Sequence, residues 1–268
     1  MLGSVKQTWN WIGSGKHPAA GDYFKVGQFT PVLDAVAGWL ENGFGRLVEA
    51  RKKASDSPYS QNSWRFWIRG SKAGHMVVGV VKDSSDSLGR PYPLLIAGTG
   101  PLKNCEAHWE LLPFACEKIW AQMEYLGTGQ YDGVEQIEER VAHIYPPAGD
   151  CLKTGSQGET AAGQPGVEEP PRGLVDIRRI EDLIASLVHM PEFVVPMDLD
   201  RVDDPLQAAG MLHKVLKKVL PALPNALFMG GAPDRACLAV FQRPLSPQDV
   251  TRLWSARERI GPDRIINA

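Results

Sequence analysis

Nowhere in this 268-residue chain do about eighteen apolar residues run together, the length a helix needs to cross a bilayer, so direct membrane insertion is not expected. The N-terminus has a weak basic element with no apolar stretch behind it and is not read as a secretory signal. An excess of one charge is also missing. The 29 Lys and Arg against 31 Asp and Glu leave a net charge of −2, which gives no electrostatic footprint for nucleic acid. Cysteine is scarce and unpaired in pattern: Cys105, Cys116, Cys151 and Cys237 form no C-x-x-C pair. Cys105 and His108 are near neighbours, but a zinc site needs further ligands that the sequence does not offer. Reduced thiols in a cytoplasmic protein fit this usage. Hydrophobic residues at 43% and charged residues at 22% describe an ordinary globular protein of one large or two modest domains.

Catalytic signatures are equally thin. No G-x-S-x-G elbow marks a nucleophile, and the histidines form no H-E-x-x-H or H-x-H pair. Gly15-Lys16 resembles the core of a phosphate loop, but Asn10 stands where the first Gly should be and His17 where Ser or Thr should bind Mg²⁺. The acidic run Met197–Asp204 lacks the Gly and the closing Glu of a calcium loop, so it reads as a cap-rich turn. No metal, cofactor or catalytic set is expected.

Periodicity is what the chain does have. Thr30-Pro31 opens a helix by capping and first-turn chemistry, and Leu33, Val36, Leu40, Phe44 and Leu47 follow at helical spacing beside Trp39. Gly43 and Gly45 weaken its end. Trp64–Gly70 and His75–Val81 read as strands joined by a hairpin over Gly70–Gly74. Pro93–Gly98 reads as a third strand, starting after its prolines or lying at an edge. Helical patterns cover Ala107–Leu126 and Val134–Ile144. Residues 146–173 are rich in Gly, Pro, Ser and Thr and read as a flexible linker or insertion between an N-terminal domain, 1–145, and a C-terminal α+β region, 174–268. That last region reads as helix, helix, hairpin, helix. Asp204-Pro205 opens its second helix, and Ser246–Asp249 approximates a capping box. Strands joined by short hairpins, with helices elsewhere, predict an α+β fold: an antiparallel sheet flanked by helices.

The polar loop of "VGVVKDSSDSLGRPYPLLIAG", Val78–Gly98, carries Asp86, Gly89 and Arg90 between two strands. Such a loop either presents Arg for recognition or pairs Asp86 with Arg90 or with backbone.

Two separated motifs resemble one family. "GKHPAAGDYFK" (Gly15–Lys25) is similar to the G-K-L-P-x-x-G-D-F motif of TagF (ImpM) proteins of bacterial type VI secretion loci. "WRFWI" and "VGVVKDSSDSLGRPYPLLIA" resemble that family's W-R-F segment and its G-V-x-x-P-S-x-D-x-x-G-R-x-F-P-L motif, and Trp39-Leu40 lies where the family has a W-L pair. The chain departs from the pattern at His17 (usually Leu), Tyr23 and Tyr92 (Phe) and Asp83 (Pro). The resemblance covers about the first 125 residues. It implies a longin- or profilin-like N-terminal part and an accessory regulator that represses the secretion system after translation by protein–protein binding, without turnover. The implied partner is a scaffold or membrane-complex protein of the apparatus, a forkhead-associated domain protein among the candidates. Lys16, Asp22, Trp39, Asp86, Gly89 and Arg90 are the protein-binding candidates. The alternatives are a structural adaptor of the apparatus, or a hydrolase-like enzyme using Asp22, Asp86 and Arg90.

Overall fold

A computed structural model describes residues 9–53, 61–152, 177–197, 204–220, 222–233 and 235–256. Among the described residues there are eight strands and six α-helices. The order is β1 (Asn10–Gly15), β2 (Phe24–Gly27), α1 (Pro31–Lys53), β3 (Ser63–Arg69), β4 (His75–Lys82) and β5 (Leu94–Pro101). Then follow α2 (Leu112–Thr128), α3 (Val134–Ala142), α4 (Ile177–Leu187), β6 (Glu192–Met197), α5 (Pro205–Val219), β7 (Ala226–Ala232), β8 (Arg235–Phe241) and α6 (Gln248–Trp254). The strands form one sheet in the order β2-β1-β5-β4-β3-β7-β8-β6, and every neighbouring pair is antiparallel. The fold is α+β, as the hairpin pattern predicts.

Both faces of the sheet are covered, which explains why the central strands read as near-continuous apolar runs. Alternate residues of β4 serve two cores. Met76, Val78 and Val80 face α2 to α5, while Val77 and Val81 face α1 and α6. On the second face Trp64 and Phe66 of β3 meet Phe228 of β7, with Phe66 stacked on Phe228 at 5.2 Å between centroids. β3 and β7 pair from Ser63–Gly231 to Ile68–Ala226, so strands from before and after residues 146–173 share one sheet. Most of that linker, residues 153–173, lies outside the described residues. Its start is packed, with Leu152 buried and its carbonyl accepting from Asn104 Nδ2 at 3.2 Å.

Several elements differ from their sequence reading. β1 and β6 were not expected as strands. β1 lies between β2 and β5, where Trp9 and Trp11 stack on each other beside Gly100 and Gly98. A Cβ on Gly98 would fall 1.8 Å from the Trp11 ring. β5 starts after Pro93, as one of its two readings required, and is interior to the sheet. α1 runs through Gly43 and Gly45 to Lys53. Tertiary packing outweighs propensity there, because a Cβ on Gly43 would strike Val250 of α6 at 2.2 Å. Two predicted caps hold: Thr30 Oγ1 accepts from Leu33 N at 3.4 Å, and Asp204 accepts from Leu206 N and Gln207 N at 3.0 Å each. The Ser246–Asp249 box does not form: Asp249 Oδ2 accepts from Ser246 N at 2.7 Å, but no side chain caps α6, whose first flanking residue is Pro247. The acidic turn 198–203 lies outside the described residues.

Candidate functional site

Gly15-Lys16 stands at the end of a strand, not at the mouth of a helix. Gly15 pairs with Phe24 at φ +127°, and a Cβ there would lie 2.1 Å from the Pro93 carbonyl oxygen. Glycine is required for this close approach of β1 to the entry of β5. The chain then turns through His17–Gly21 and re-enters the sheet as β2, which carries Lys16 and Asp22 to the end of the sheet where β4 hands over to β5.

The second motif folds as a tight tip. Gly89 N donates to Asp86 O at 2.9 Å, and Asp86 N donates to Arg90 O at 3.2 Å. Gly89, at φ +75°, closes this three-residue loop in the left-handed region that favours glycine. Asp86 organises it. Oδ1 accepts from the Leu88 and Arg90 amides at 3.0 and 2.9 Å, and Oδ2 accepts from Lys16 Nζ at 2.8 Å and Arg90 Nε at 2.7 Å. Four donors fill its lone pairs, and the side chain is 0% exposed. Burial opposes ionisation, but the bonds from Lys16, from the Arg90 amide and guanidinium and from Leu88 prevail and hold the carboxyl well below the usual range.

Arg90 also donates to Gly21 O at 2.8 Å, and Ser87 N donates to Ala20 O at 2.9 Å, so the two motif loops are sewn together. Asp22 completes the cluster, 3.3 Å from Arg90 and 3.7 Å from Lys16. Its own Tyr23 amide, then Arg90, lower its pKa. Five of the six candidates, Lys16, Asp22, Asp86, Gly89 and Arg90, therefore meet at one place. Trp39 does not join them. It is buried on the α1–α6 face, its indole N–H donating to Ser246 O at 2.8 Å.

The departures from the motif are accommodated. The Tyr23 hydroxyl finds Ser14 Oγ at 2.9 Å, and its ring meets Tyr92 edge-on at 5.2 Å. His17 is buried in place of an apolar residue. Its Nδ1 accepts from Ala19 N at 3.1 Å, and burial, then the charge of Lys82, lowers its pKa. Asp83 accepts from Asn62 N at 2.8 Å and from Trp254 Nε1 at 2.7 Å, tying this loop to α6.

Two features went unread in the sequence. Leu88, 73% exposed, is held out at the tip of the Asp86 loop. The signal was available, since it is the one apolar residue between Asp83 and Arg90. Beside the cluster lies an open cleft of about 790 Å³ bounded by His17, Phe44, Lys82, Ser84, Tyr92 and Tyr131. No local pattern announces it, because the segment after α2 supplies one wall. Among the described residues no group of three or more His, Cys, Asp or Glu is placed to hold a metal, and no helix is long and apolar enough to cross a membrane.

Residues 13–144 match the family described as the TagF N-terminal domain, type VI secretion system-associated. The match includes both motif loops, the whole ion cluster and Trp39, and it stops after α3. The crystal structure of PA0076 from Pseudomonas aeruginosa PAO1 is similar over 96% of this chain and 97% of its own, at 19% identity and a TM-score of 0.51. At that identity the likeness concerns the fold, and it extends through the C-terminal strands. No curated protein matches the chain by sequence.

Proposed function

We propose that this chain, whose residues 13–144 match the type VI secretion system-associated TagF N-terminal domain, is an accessory post-translational regulator of that apparatus, a repressor acting by protein–protein binding. The observation that carries this reading is the clamp itself. Two loops about 70 residues apart in sequence are fixed to each other through Asp86, and the clamp holds Asp22, Leu88 and Arg90 at the surface. A preorganised surface of an Arg, an acidic group and one apolar anchor is what an interface hot spot needs, since little side-chain freedom is lost on docking. The partner is a cytoplasmic scaffold or membrane-complex component, a forkhead-associated domain protein being the first to test.

Asp22, Asp86 and Arg90 converge, which a hydrolase would also require. Their chemistry favours binding. A general base near neutral pH needs a free lone pair and a raised pKa, whereas Asp86 has neither. The test is affinity capture from cells carrying the complete secretion locus, comparing wild type with Arg90→Ala and Leu88→Ala. Loss of one apparatus component by folded variants, with secretion rising on gene deletion under repressing conditions, is expected. Unchanged capture and unchanged secretion would remove the proposal. Co-purification only with assembled apparatus would point instead to a structural adaptor.

A further inference from the structure

Strand alternation divides the cleft between the two faces of the sheet. Lys82, last in β4, points with Val78 and Val80 towards α2, where its ammonium donates to the Gly127 carbonyl at 3.4 Å. Arg65 is shared there by Glu117 and Glu124, which leaves one negative charge to balance Lys82. Burial lowers the pKa of Lys82, and the charge of Glu124 opposes that. This wall is neutral. The clamp beside it is neutral too, with Lys16 and Arg90 set against Asp22 and Asp86. Asp83 points the other way, towards α6, and accepts only from neutral groups. Trp254 Nε1 reaches Oδ1 at 2.7 Å, and Asn62 N and Nδ2 reach Oδ2 at 2.8 and 3.2 Å. Glu41 is exposed one turn before Phe44 on α1, and neither it nor Asp83 forms an ion pair among the described residues. Near them stands an aromatic wall, where the Phe44 ring meets Tyr92 edge-on at 5.0 Å and both line the cleft. Burial, then the charges of Tyr23 and Glu41, raises the pKa of Tyr92, so Glu41 lies within electrostatic reach of that ring.

We propose that the half of the cleft towards α1 and α6 seats the arginine side chain of a partner protein, its guanidinium against Asp83 and Glu41 and its plane on the Tyr92 ring. Charge complementarity sets the sign, because the two carboxylates without a cation lie on this half, while Lys82 and its counter-charges lie on the other. Three donors on Asp83 leave Oδ1 one acceptor position. The faces of aromatic rings attract cations, and a planar guanidinium stacks on them where an ammonium cannot. Gln61 adds an amide to the same opening. Gly89 belongs both to the clamp and to the cleft lining, so a partner docked on Leu88 and Arg90 stands at the mouth of the cleft. The choice of a partner protein as the source of the arginine rests on the function proposed above; the cation site itself does not.

The test is NMR titration of the full chain at low ionic strength with acetyl-arginine amide, its uncharged isostere acetyl-citrulline amide, and free arginine. Saturable shifts of the Tyr92 and Phe44 ring resonances are expected with acetyl-arginine amide and not with acetyl-citrulline amide. Glu41→Gln should weaken binding about threefold and Asp83→Asn about tenfold. Glu138→Gln, which removes the same charge from an exposed position on α3, should leave it unchanged. No saturable shift, equal binding of the citrulline probe, or equal losses in Glu41→Gln and Glu138→Gln would overturn the proposal. Tighter binding of free arginine than of the blocked form would overturn the assignment to a partner's side chain. Should Asp83→Asn fold poorly, Glu41→Gln and the citrulline comparison decide. Arginine binding without capture of any apparatus component would remove the function proposed above, and the partner with it, but keep the cation site. Capture without arginine binding would do the reverse.

Discussion

Asp86 and Asp249 are both fully covered aspartates, each gripped by two cations, yet their surroundings differ. Asp249 accepts from Arg243 at 2.7 and 2.9 Å, from Arg252 at 2.8 Å and from the Ser246 amide at 2.7 Å, and Glu192 of β6 pairs with both arginines. Every member is mostly buried, so this second cluster locks the start of α6 to the edge strand. At Asp86 the outer members stay in water: the side chains of Arg90 and Asp22 are 49% and 68% exposed. The same local chemistry closes one site and presents the other. What separates a lock from a recognition surface is whether the outer charges have somewhere else to go.

The largest break in that comparison is expected from Asp249→Ala. Removing it strands two arginines and leaves the Ser246 amide without its acceptor, costing about 3–5 kcal/mol, which urea denaturation reads directly. Acid sharpens the contrast next. Both aspartates bind protons less readily folded than unfolded, so their contribution is complete above about pH 4 and is lost as pH falls below it. His213 acts in the same sense over a higher pH window. It is buried, its Nδ1–H donating to Ala209 O and its Nε2 accepting from Trp67, and burial pushes its pKa down to about 4. The unfolded chain takes up that proton from its ordinary value of 6.5 downward. Stability should therefore fall between pH 6.5 and 4 with a slope of up to about 1.4 kcal/mol per pH unit. Thermal melts across pH 3–7 separate the two limbs, and Asp249→Asn should flatten only the lower one. Asp86→Asn should lower Tm less than Asp249→Ala and also abolish partner capture, because the loop tip loses the acceptor that orients Arg90. The smallest stability effects belong to Arg90→Ala and Leu88→Ala. Their Tm should stay close to wild type while partner affinity falls about tenfold or more.

What could be read beforehand follows the range of the forces involved. The helix from Thr30-Pro31, the β3–β4 hairpin and the Asp204 cap are local, and each was legible. Of the two readings of the Asp86 loop, the structure holds the pairing of Asp86 with Arg90, and the Arg90 side chain is 49% exposed. The bond from Lys16 to Asp86 spans 70 positions, and only the family motifs hinted that their loops belong together. β1 was hidden by its glycines and Ser14, whose reasons lie in neighbouring strands. β6 was hidden by Pro196, which an edge strand tolerates. The cleft was out of reach, because its walls come from segments that only the fold brings together.

The seam between β3 and β7 bears on how this protein must be born. A ribosome makes Trp64, Phe66 and Trp67 some 160 residues before Leu227 and Phe228 arrive to pair beside them. Until then β3 is an aromatic strand with one bare edge, the kind of template that recruits a second chain. The pairing is also distant in sequence, which slows its formation. A fragment cut at residues 13–144 would keep every motif residue and expose that edge permanently. It should aggregate where the longer chain does not, and light scattering of the two at equal concentration measures the difference.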